Sequence, residues 1–379
     1  MKLVEVGDIC RFEYGKSLPE KTRDPGQFPV YGSNGPVGSH TASFTQGKTI
    51  VIGRKGSIGE VHISSDACWP IDTTYFIDKT CSDCDLDWLA YSLKYLNLAD
   101  LNKASGVPGL NREDAYQQEI WLPETIEEQR QIAARLKAQL AEVKTARQAA
   151  QVQLRDADAL RTAIYREAFH SVVPVAVPPH FEDAPDGWRW HKLTDIAQLE
   201  SGHTPSRHRP DWWGGEVSWI SLTEIRALDG SWVESTQLRT NAEGIANSSA
   251  RILPRGTVCY SRTASVGFVC IMARPMSTSQ DFANWVCGHD LEPEFLMHAL
   301  ICSRKDLREI ATGATHKTIY MPQLGSFHLC APDIDDQRRI VAHLKQQLAE
   351  ADALRAALEQ QLRDLDALPQ RILALAFEN

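Results

Sequence analysis

Ile126–Glu142 reads IEEQRQIAARLKAQLAE, and Ile334–Glu350 reads IDDQRRIVAHLKQQLAE. The offset of 208 residues between Gln129 and Gln337 holds without a gap from Ile126 onward, until Ser171 falls on Asn379, with about half of the positions identical. Both copies are rich in Ala, Leu, Gln, Glu, Lys and Arg and contain no Gly, which predicts two long helices. Pro369 is expected to interrupt the second. In the first copy Leu136, Val143, Ala150, Ala157 and Ile164 recur every seven residues, with Leu140 and Leu154 beside them. The second repeats the pattern with Leu344, Ala351, Leu358, Leu365 and Ile372, flanked by Leu348 and Leu362. Such heptads make a coiled-coil seam, and two similar seams in one chain are most simply satisfied by packing on each other. At 1.5 Å per residue each helix spans roughly 60–65 Å.

The helices divide the chain. A globular stretch covers residues 1–124, the first helix 125–171, a Pro-rich linker 172–187, a second globular stretch 188–330 and the second helix 331–379. The globular stretches are themselves distant copies. Val6-Gly7-Asp8-Ile9 parallels Leu193-Thr194-Asp195-Ile196, and Arg54-Lys55-Gly56-Ser57-Ile58-Gly59 parallels Arg262-Thr263-Ala264-Ser265-Val266-Gly267. Each holds a strand–turn–strand pattern (KTIVIGRKGSIGEVHI, GTVCYSRTASVGFVCIM) and a helical one (DLDWLAYSLKYLNLADL, LEPEFLMHALICSRKDLREIA). The fold class is therefore α+β, with two pseudo-repeated mixed α/β domains and two long helices.

Composition narrows the chemistry. The net charge of −9 argues against nonspecific coating of nucleic acid, although it leaves room for a local basic surface. Nine scattered cysteines suit buried thiols better than a disulfide framework, and Cys81-Ser-Asp-Cys84 lacks the second Cys/His pair that a zinc knuckle needs. No run of 18 apolar residues and no signal-peptide pattern occur, so a cytoplasmic location without membrane contact is expected. Gly47-Lys48-Thr49 has Ala42 where a phosphate loop requires Gly, and neither a dinucleotide fingerprint, an Asp/Asn-Pro-Pro-aromatic tetrapeptide, H-E-x-x-H nor G-x-S-x-G is present. These absences point to binding rather than catalysis.

The blocks VYGSNGPVG, IVIGRKGSIGEV, SGHTPS, GGEVSWI and GTVCYSRTASVG, with the helix starts Pro123-Glu124-Thr125-Ile126-Glu127-Glu128-Gln129 and Pro332-Asp333-Ile334-Asp335-Asp336-Gln337, resemble the specificity (S) subunit of a type I restriction-modification system across essentially the whole chain. The second helix start uses Asp for Glu and is one residue shorter after its Pro. The resemblance implies two target-recognition domains, each reading half of a bipartite site in double-stranded DNA, separated by two helices that form an antiparallel coiled coil. It also implies docking of two methyltransferase (M) subunits and, through the complex, restriction/translocase (R) subunits. S-adenosylmethionine, ATP and Mg²⁺ are then expected on those partners and no cofactor or metal on this chain. A type II specificity subunit of the same architecture has the same sequence pattern, and a coiled-coil adaptor whose domains read no DNA is the alternative outside the family.

Bases are read by donors and acceptors that reach the grooves, while Lys and Arg hold phosphates. Under this resemblance the DNA-binding candidates of the first domain are Tyr31, Ser33 and Asn34 in YGSNG, Arg54, Lys55 and Ser57 in the hairpin, and Lys103, Asn111 and Arg112 around SGVPGLNR. In the second they are His203, Thr204, Ser206, Arg207, His208 and Arg209 in SGHTPSRHR, then Arg262, Thr263 and Ser265, and His316, Lys317 and Thr318. The alternative for Arg54 and Arg262 is a role as ion-paired scaffold residues. Trp212, Trp213 and Trp219 are expected in core and turn packing. The recurrence of Arg155, Asp156 and Asp158 as Arg363, Asp364 and Asp366 suggests a methyltransferase-docking face.

Overall fold

The computed structural model describes residues 2–101, 109–178, 182–313 and 317–378. Ile126–Ala168 and Ile334–Phe377 are the two long helices, and the second continues through Pro369 rather than breaking there. The chain resolves into two compact units. One holds the residues up to Leu154 with those from Ala357 onward, and the other runs from Arg155 to Ala356.

In the first unit, a four-stranded sheet of Glu13–Tyr14, Thr74–Asp78, Thr49–Gly53 and Val61–Ser64 lies with a three-stranded sheet of Gly35–His40, Phe28–Gly32 and Trp69–Pro70. Lys2–Glu5 and Glu119–Leu122 form a separate antiparallel pair. The helical pattern after Cys84 divides into a helix at Leu86–Tyr95 and a 3₁₀ turn at Leu98–Leu101, because Asn97 takes a positive φ. Asp85 caps that helix by accepting from the amides of Asp87 and Trp88. Its inner face buries Trp88, Leu89 and Leu93 against Phe12, Ile50, Ile52 and Ile77.

Both long helices close this core. Ala133 and Leu136 enter it from the first, Leu373 and Phe377 from the second. The Phe377 ring stacks on Tyr95 with centroids 5.6 Å apart and meets Trp88 edge-on at 6.4 Å. Arg147 binds Asp366 at 2.5 Å, so rising positions on one helix meet falling positions on the other and the pairing is antiparallel.

The second unit repeats the plan. A five-stranded sheet of Ala197–Ser201, Phe282–Cys287, Val258–Ser261, Val269–Met272 and Trp232–Val233 lies with a three-stranded sheet of Leu238–Thr240, Trp213–Ile220 and Ser277–Thr278. The expected single helix is again two, Pro293–Cys302 and Arg304–Glu309. Ile164, Tyr165 and Phe169 of the first long helix join Val341, Leu344, Leu348 and Ala351 of the second in a core with Tyr260, Trp285 and Phe295. Here too the pairing is antiparallel: Arg161 binds Asp352 at 2.7 Å and Asp158 binds Arg355 at 3.2 Å.

The offset of 208 carries Arg147 onto Arg355 and Asp366 back onto Asp158, so these two ion pairs are one interaction made twice. Asp158 and Asp366 therefore tie helix to helix, with their carboxylates still more than half exposed. Arg161–Asp352 has no second copy, because Lys144 and Pro369 stand at the matching places. The seam residues Leu136, Val143, Ile164, Leu344, Leu348 and Leu358 are buried, and Leu140, Leu154, Leu362, Leu365 and Ile372 are half-buried.

The same economy fixes each domain to the helices. The buried Gln129 accepts the amide of Asp85 through Oε1 at 2.8 Å, and the buried Gln337 accepts that of Glu292 at 2.9 Å. Both amides sit at the N-cap of a domain helix. Gln337 also donates through Nε2 to the carbonyls of Asp290 and Pro332. A buried side-chain amide left unpaired costs about 1–3 kcal/mol, which explains the Gln at both helix starts.

The Pro-rich segment departs from a plain linker. After Phe169, His170 and Ser171 take positive φ and turn the chain, and Val175–Ala176 then pairs with His328–Ala331.

His298 lies in the second core with Nδ1 3.1 Å from the Tyr165 hydroxyl. Burial, aided by Lys345 and Arg161 and opposed by Glu294, holds its imidazole down to about 4, while burial pushes the Tyr165 hydroxyl up to about 12. A depressed histidine means that the unfolded chain binds more protons between about pH 6.5 and 4, so stability falls as pH falls through that window. Melts at pH 7 and pH 4.5 should show a loss of about 2 kcal/mol from this group. In His298→Leu the acid-dependent loss should shrink by that amount, and an unchanged pH profile would refute the assignment.

Candidate nucleic-acid interface

In the first unit the hairpin after Thr49–Gly53 turns through Arg54–Gly59, with Gly56 at φ +83°. Arg54 Nη2 donates to the carbonyl of Asp72 at 2.7 Å, and its guanidinium lies 5.2 Å over Tyr14 and 5.9 Å over Tyr75. In the second unit Arg262 Nη2 donates to the carbonyl of Gln280 at 2.7 Å. Both members of this contact are related by 208 positions, so it too is made twice. The two arginines brace the hairpin against a neighbouring loop, and they do so through main-chain carbonyls and not through the ion pairs expected of scaffold residues.

The candidate loops of each domain converge on these hairpins. In the first unit a Cβ added to Gly56 would lie 3.2 Å from Ser33 Oγ, and Leu110 donates its amide to the carbonyl of Arg54 at 2.9 Å. Arg112 lies 5.6 Å over the same Tyr14 ring from the other loop and pairs with Glu113 at 3.5 Å. Asn111 caps the short helix Arg112–Tyr116 by accepting the amide of Glu113 at 2.9 Å. Asn34 and Lys55 are exposed at the turn tips and Ser57 is half-exposed. Tyr31 is 8% exposed and packs with Val51 and Cys68, so its ring belongs to the core and not to the exposed loop. Lys103 lies outside the described residues.

In the second unit the Thr204 hydroxyl donates to the Gln280 side chain, beside the carbonyl that Arg262 binds. Thr263 bridges to Thr318, and Ala264 donates its amide to the carbonyl of Lys317 at 3.0 Å. Lys317, Ser206 and His208 are exposed, and His203, Ser265 and Thr318 are half-exposed. The exposed Arg207 lies 4.7 Å over Trp213 and 5.2 Å over Trp219. Trp219 is buried and holds the carbonyl of His203 through Nε1 at 3.1 Å. Arg209 is engaged by both Asp211 oxygens at 3.0 and 2.6 Å while lying 4.7 Å over Trp212, and its guanidinium holds the Asp211 carboxyl below the ordinary value. His316 lies outside the described residues.

The sequence reading overlooked Gly15-Lys16-Ser17. A Cβ on Gly15 would come within 2.1 Å of the carbonyl oxygen of Ile71, and one on Gly202 within 2.1 Å of that of Ser279. The same close approach therefore aligns Lys16 and Ser17 with His203 and Thr204, and Gly-x-[Ser/Thr] is the signal that could have found it. Lys16 is exposed, 5.8 Å over Phe44 and 5.9 Å over Trp69. Tyr14, between two arginines and 50% exposed, is a second omission.

Among the described residues no group of His, Cys, Asp and Glu side chains could hold a metal ion, and the cysteines are free, with burial pushing the Cys10, Cys287 and Cys302 thiols up to about 12. No helix among them is long and apolar enough to cross a membrane.

Duplicated α/β domains whose polar loops gather on a braced hairpin, each docked on paired long helices, define the class: a two-domain recognition scaffold. The chain belongs to the family described as the type I restriction modification DNA specificity domain, whose model matches residues 1–153 and 185–364. It is 25% identical over 162 residues to the type I restriction enzyme MjaIX specificity subunit of Methanocaldococcus jannaschii, covering 42% of this chain and 38% of that one. With the HindI specificity subunit of Haemophilus influenzae it shares 26% over 133 residues, 35% of this chain and 28% of that one. The matches thus span well under half the length of these relatives. In fold it is similar to the crystal structure of the HsdS subunit from Thermoanaerobacter tengcongensis, with a TM-score of 0.67 and 20% identity over 99% of this chain and 96% of that one. A chain solved to explain complex assembly and conformational transition of the type I R-M system gives a TM-score of 0.70 and 18% identity, covering 99% and 97%.

The repeated turn yields a paired prediction. Ala264 occupies at φ +56° the place that Gly56 holds in the first domain, and the left-handed region costs an L-residue about 1–2 kcal/mol. Ala264→Gly should stabilise the protein by about 1 kcal/mol and Gly56→Ala should destabilise it by about as much, read by denaturant unfolding. The same sign for both changes would contradict the shared turn.

Proposed function

We infer that this chain is the DNA-reading subunit of a type I restriction-modification complex. Each domain reads one half of a bipartite, asymmetric site in double-stranded DNA, and the antiparallel helices set the unread spacer and dock methyltransferase subunits. The observation that carries the reading is the duplicated scaffold with diverged tips. Braces and turns coincide under one offset and the anchoring glutamines follow it, whereas the exposed loop residues differ: Lys16 against His203, Lys55 against Thr263, Ser17 against Thr204. A shared frame with two different polar faces suits two different half-sites, as modules related by a dyad meet two half-sites on a duplex.

In this reading methyl transfer and cleavage belong to partner subunits, which carry S-adenosylmethionine, ATP and Mg²⁺, in the cytoplasm. This chain supplies address and geometry. Lys16, Lys55 and Arg207 hold phosphates while Asn34, Ser57, His203 and His208 reach base edges.

Single-molecule methylation mapping in a methylation-free host, expressing this chain with its neighbouring methyltransferase gene, tests the reading. A new bipartite, asymmetric motif that vanishes without this chain is the expected result. No motif, with the partner shown to be expressed and bound, would favour the adaptor. A second expectation concerns a fragment ending at Ser171. Ile164, Tyr165 and Phe169 match Ile372, Leu373 and Phe377, so a second copy of the fragment can fill the place of the missing helix. Sedimentation at micromolar concentration should show a dimer that, with methyltransferase, marks a palindrome; a folded monomer would count against the pairing.

A further inference from the structure

The two units differ at one sheet edge. In the second, His328–Ala331 is a central strand, paired by Arg189–Lys192 on one side and by Val175–Ala176 on the other. In the first, the corresponding strand Glu119–Leu122 is paired by Lys2–Glu5 in the same register. Leu3 faces Trp121 as Trp190 faces Cys330, and Val6 donates its amide to the Gln118 carbonyl as Leu193 donates to Phe327. Among the described residues no strand occupies its other edge.

What covers that edge in the second unit is specific. Cys330 donates its amide to the carbonyl of Pro174 at 2.8 Å, Val175 donates to the Ser303 hydroxyl at 2.8 Å, and Val175 stands opposite Leu329. Val175, Cys330 and Leu329 are all fully buried as a result. The first unit has Trp121 in the place of Cys330, and it is 38% exposed, with Leu3 across from it 42% exposed. Natural proteins guard open edges with charge, proline or a covering segment. Here the exposed Glu119 and the proline at 123 stand only at the two ends of the strand, and its middle, at Ile120 and Trp121, carries neither charge nor proline.

We propose that the open edge of Glu119–Leu122 is a docking site for an extended, valine-rich strand of a partner polypeptide, added antiparallel as Val175–Ala176 is added to His328–Ala331. The internal copy states the chemistry of the occupant. It needs a carbonyl to accept the Trp121 amide, as Pro174 accepts that of Cys330, and a small β-branched residue opposite Ile120, as Val175 stands opposite Leu329. It excludes a charge at that second position, because Ile120 is buried in the domain core. Main-chain bonds supply affinity and the alternate side chains supply selectivity. The site is independent of whether the domains read DNA.

The test uses the full chain and a synthetic peptide with its own Ser171–Pro178 sequence, SVVPVAVP, as the probe. Hydrogen exchange is followed by mass spectrometry on the segment containing Glu119–Leu122, so that any exchange at the second unit is read separately. At millimolar peptide, exchange there should slow about tenfold, with no slowing by SVVPDAVP, in which Asp replaces the second-position valine. Trp121→Pro, which removes the outward amide, should abolish the effect while the melting temperature shows the variant folded. No slowing by SVVPVAVP, or equal slowing by both peptides, overturns the proposal. Slowing that follows protein concentration without peptide also overturns it, since the occupant would then be a second copy of this chain.

Discussion

In each unit, two helical segments of one polypeptide that run in opposite directions must meet in register, and the other features of the unit hang on that meeting. The apolar seam supplies most of the energy, since each fully buried leucine or isoleucine contributes about 1.5–3 kcal/mol. Ion pairs between half-exposed side chains such as Arg147 and Asp366 add at most about 1 kcal/mol. Their value is in selection. A slip of one helix against the other within either unit would part that unit's pair, Arg147 from Asp366 or Asp158 from Arg355.

Within each unit the domain is fixed to the helices beside it. Each is held by the start of one long helix and the end of the other, through a buried glutamine amide at a helix cap and an aromatic or aliphatic cluster at the opposite end. Within each domain an arginine braces a hairpin and a glycine allows two backbones to touch. These contacts recur with their partners, so the tips they support can vary without loss of the frame. The surface residues that differ between domains are those that face solvent.

The helices, the duplication and the hairpins were legible in the sequence because they depend on local periodicity and on an ungapped offset. Gln129 and Gln337 stood out as shared residues, but their task was hidden, since their partners are amides 44 and 45 residues away in the chain. Tyr31 looked like a loop residue because alternation alone cannot tell which face of Phe28–Gly32 is buried. Gly15-Lys16-Ser17 was missed because its match to Gly202-His203-Thr204 follows a different offset from the helices. The strand at Val175–Ala176 was read as linker since two residues among prolines carry no period, and only the edge of His328–Ala331 gives them structure. Pro369 was expected to end a helix that tertiary packing carries through to Phe377.

The residues that bring the two long helices together belong to one covalent chain, and this changes how the assembly responds to dilution. Two separate halves would associate only as far as their concentration allowed. Joined by the polypeptide that runs between them, the helices experience an effective concentration in the millimolar range, set by the tether and not by the number of molecules in a cell. A protein present at very few copies can therefore keep both halves paired, and a seam of modest strength is enough.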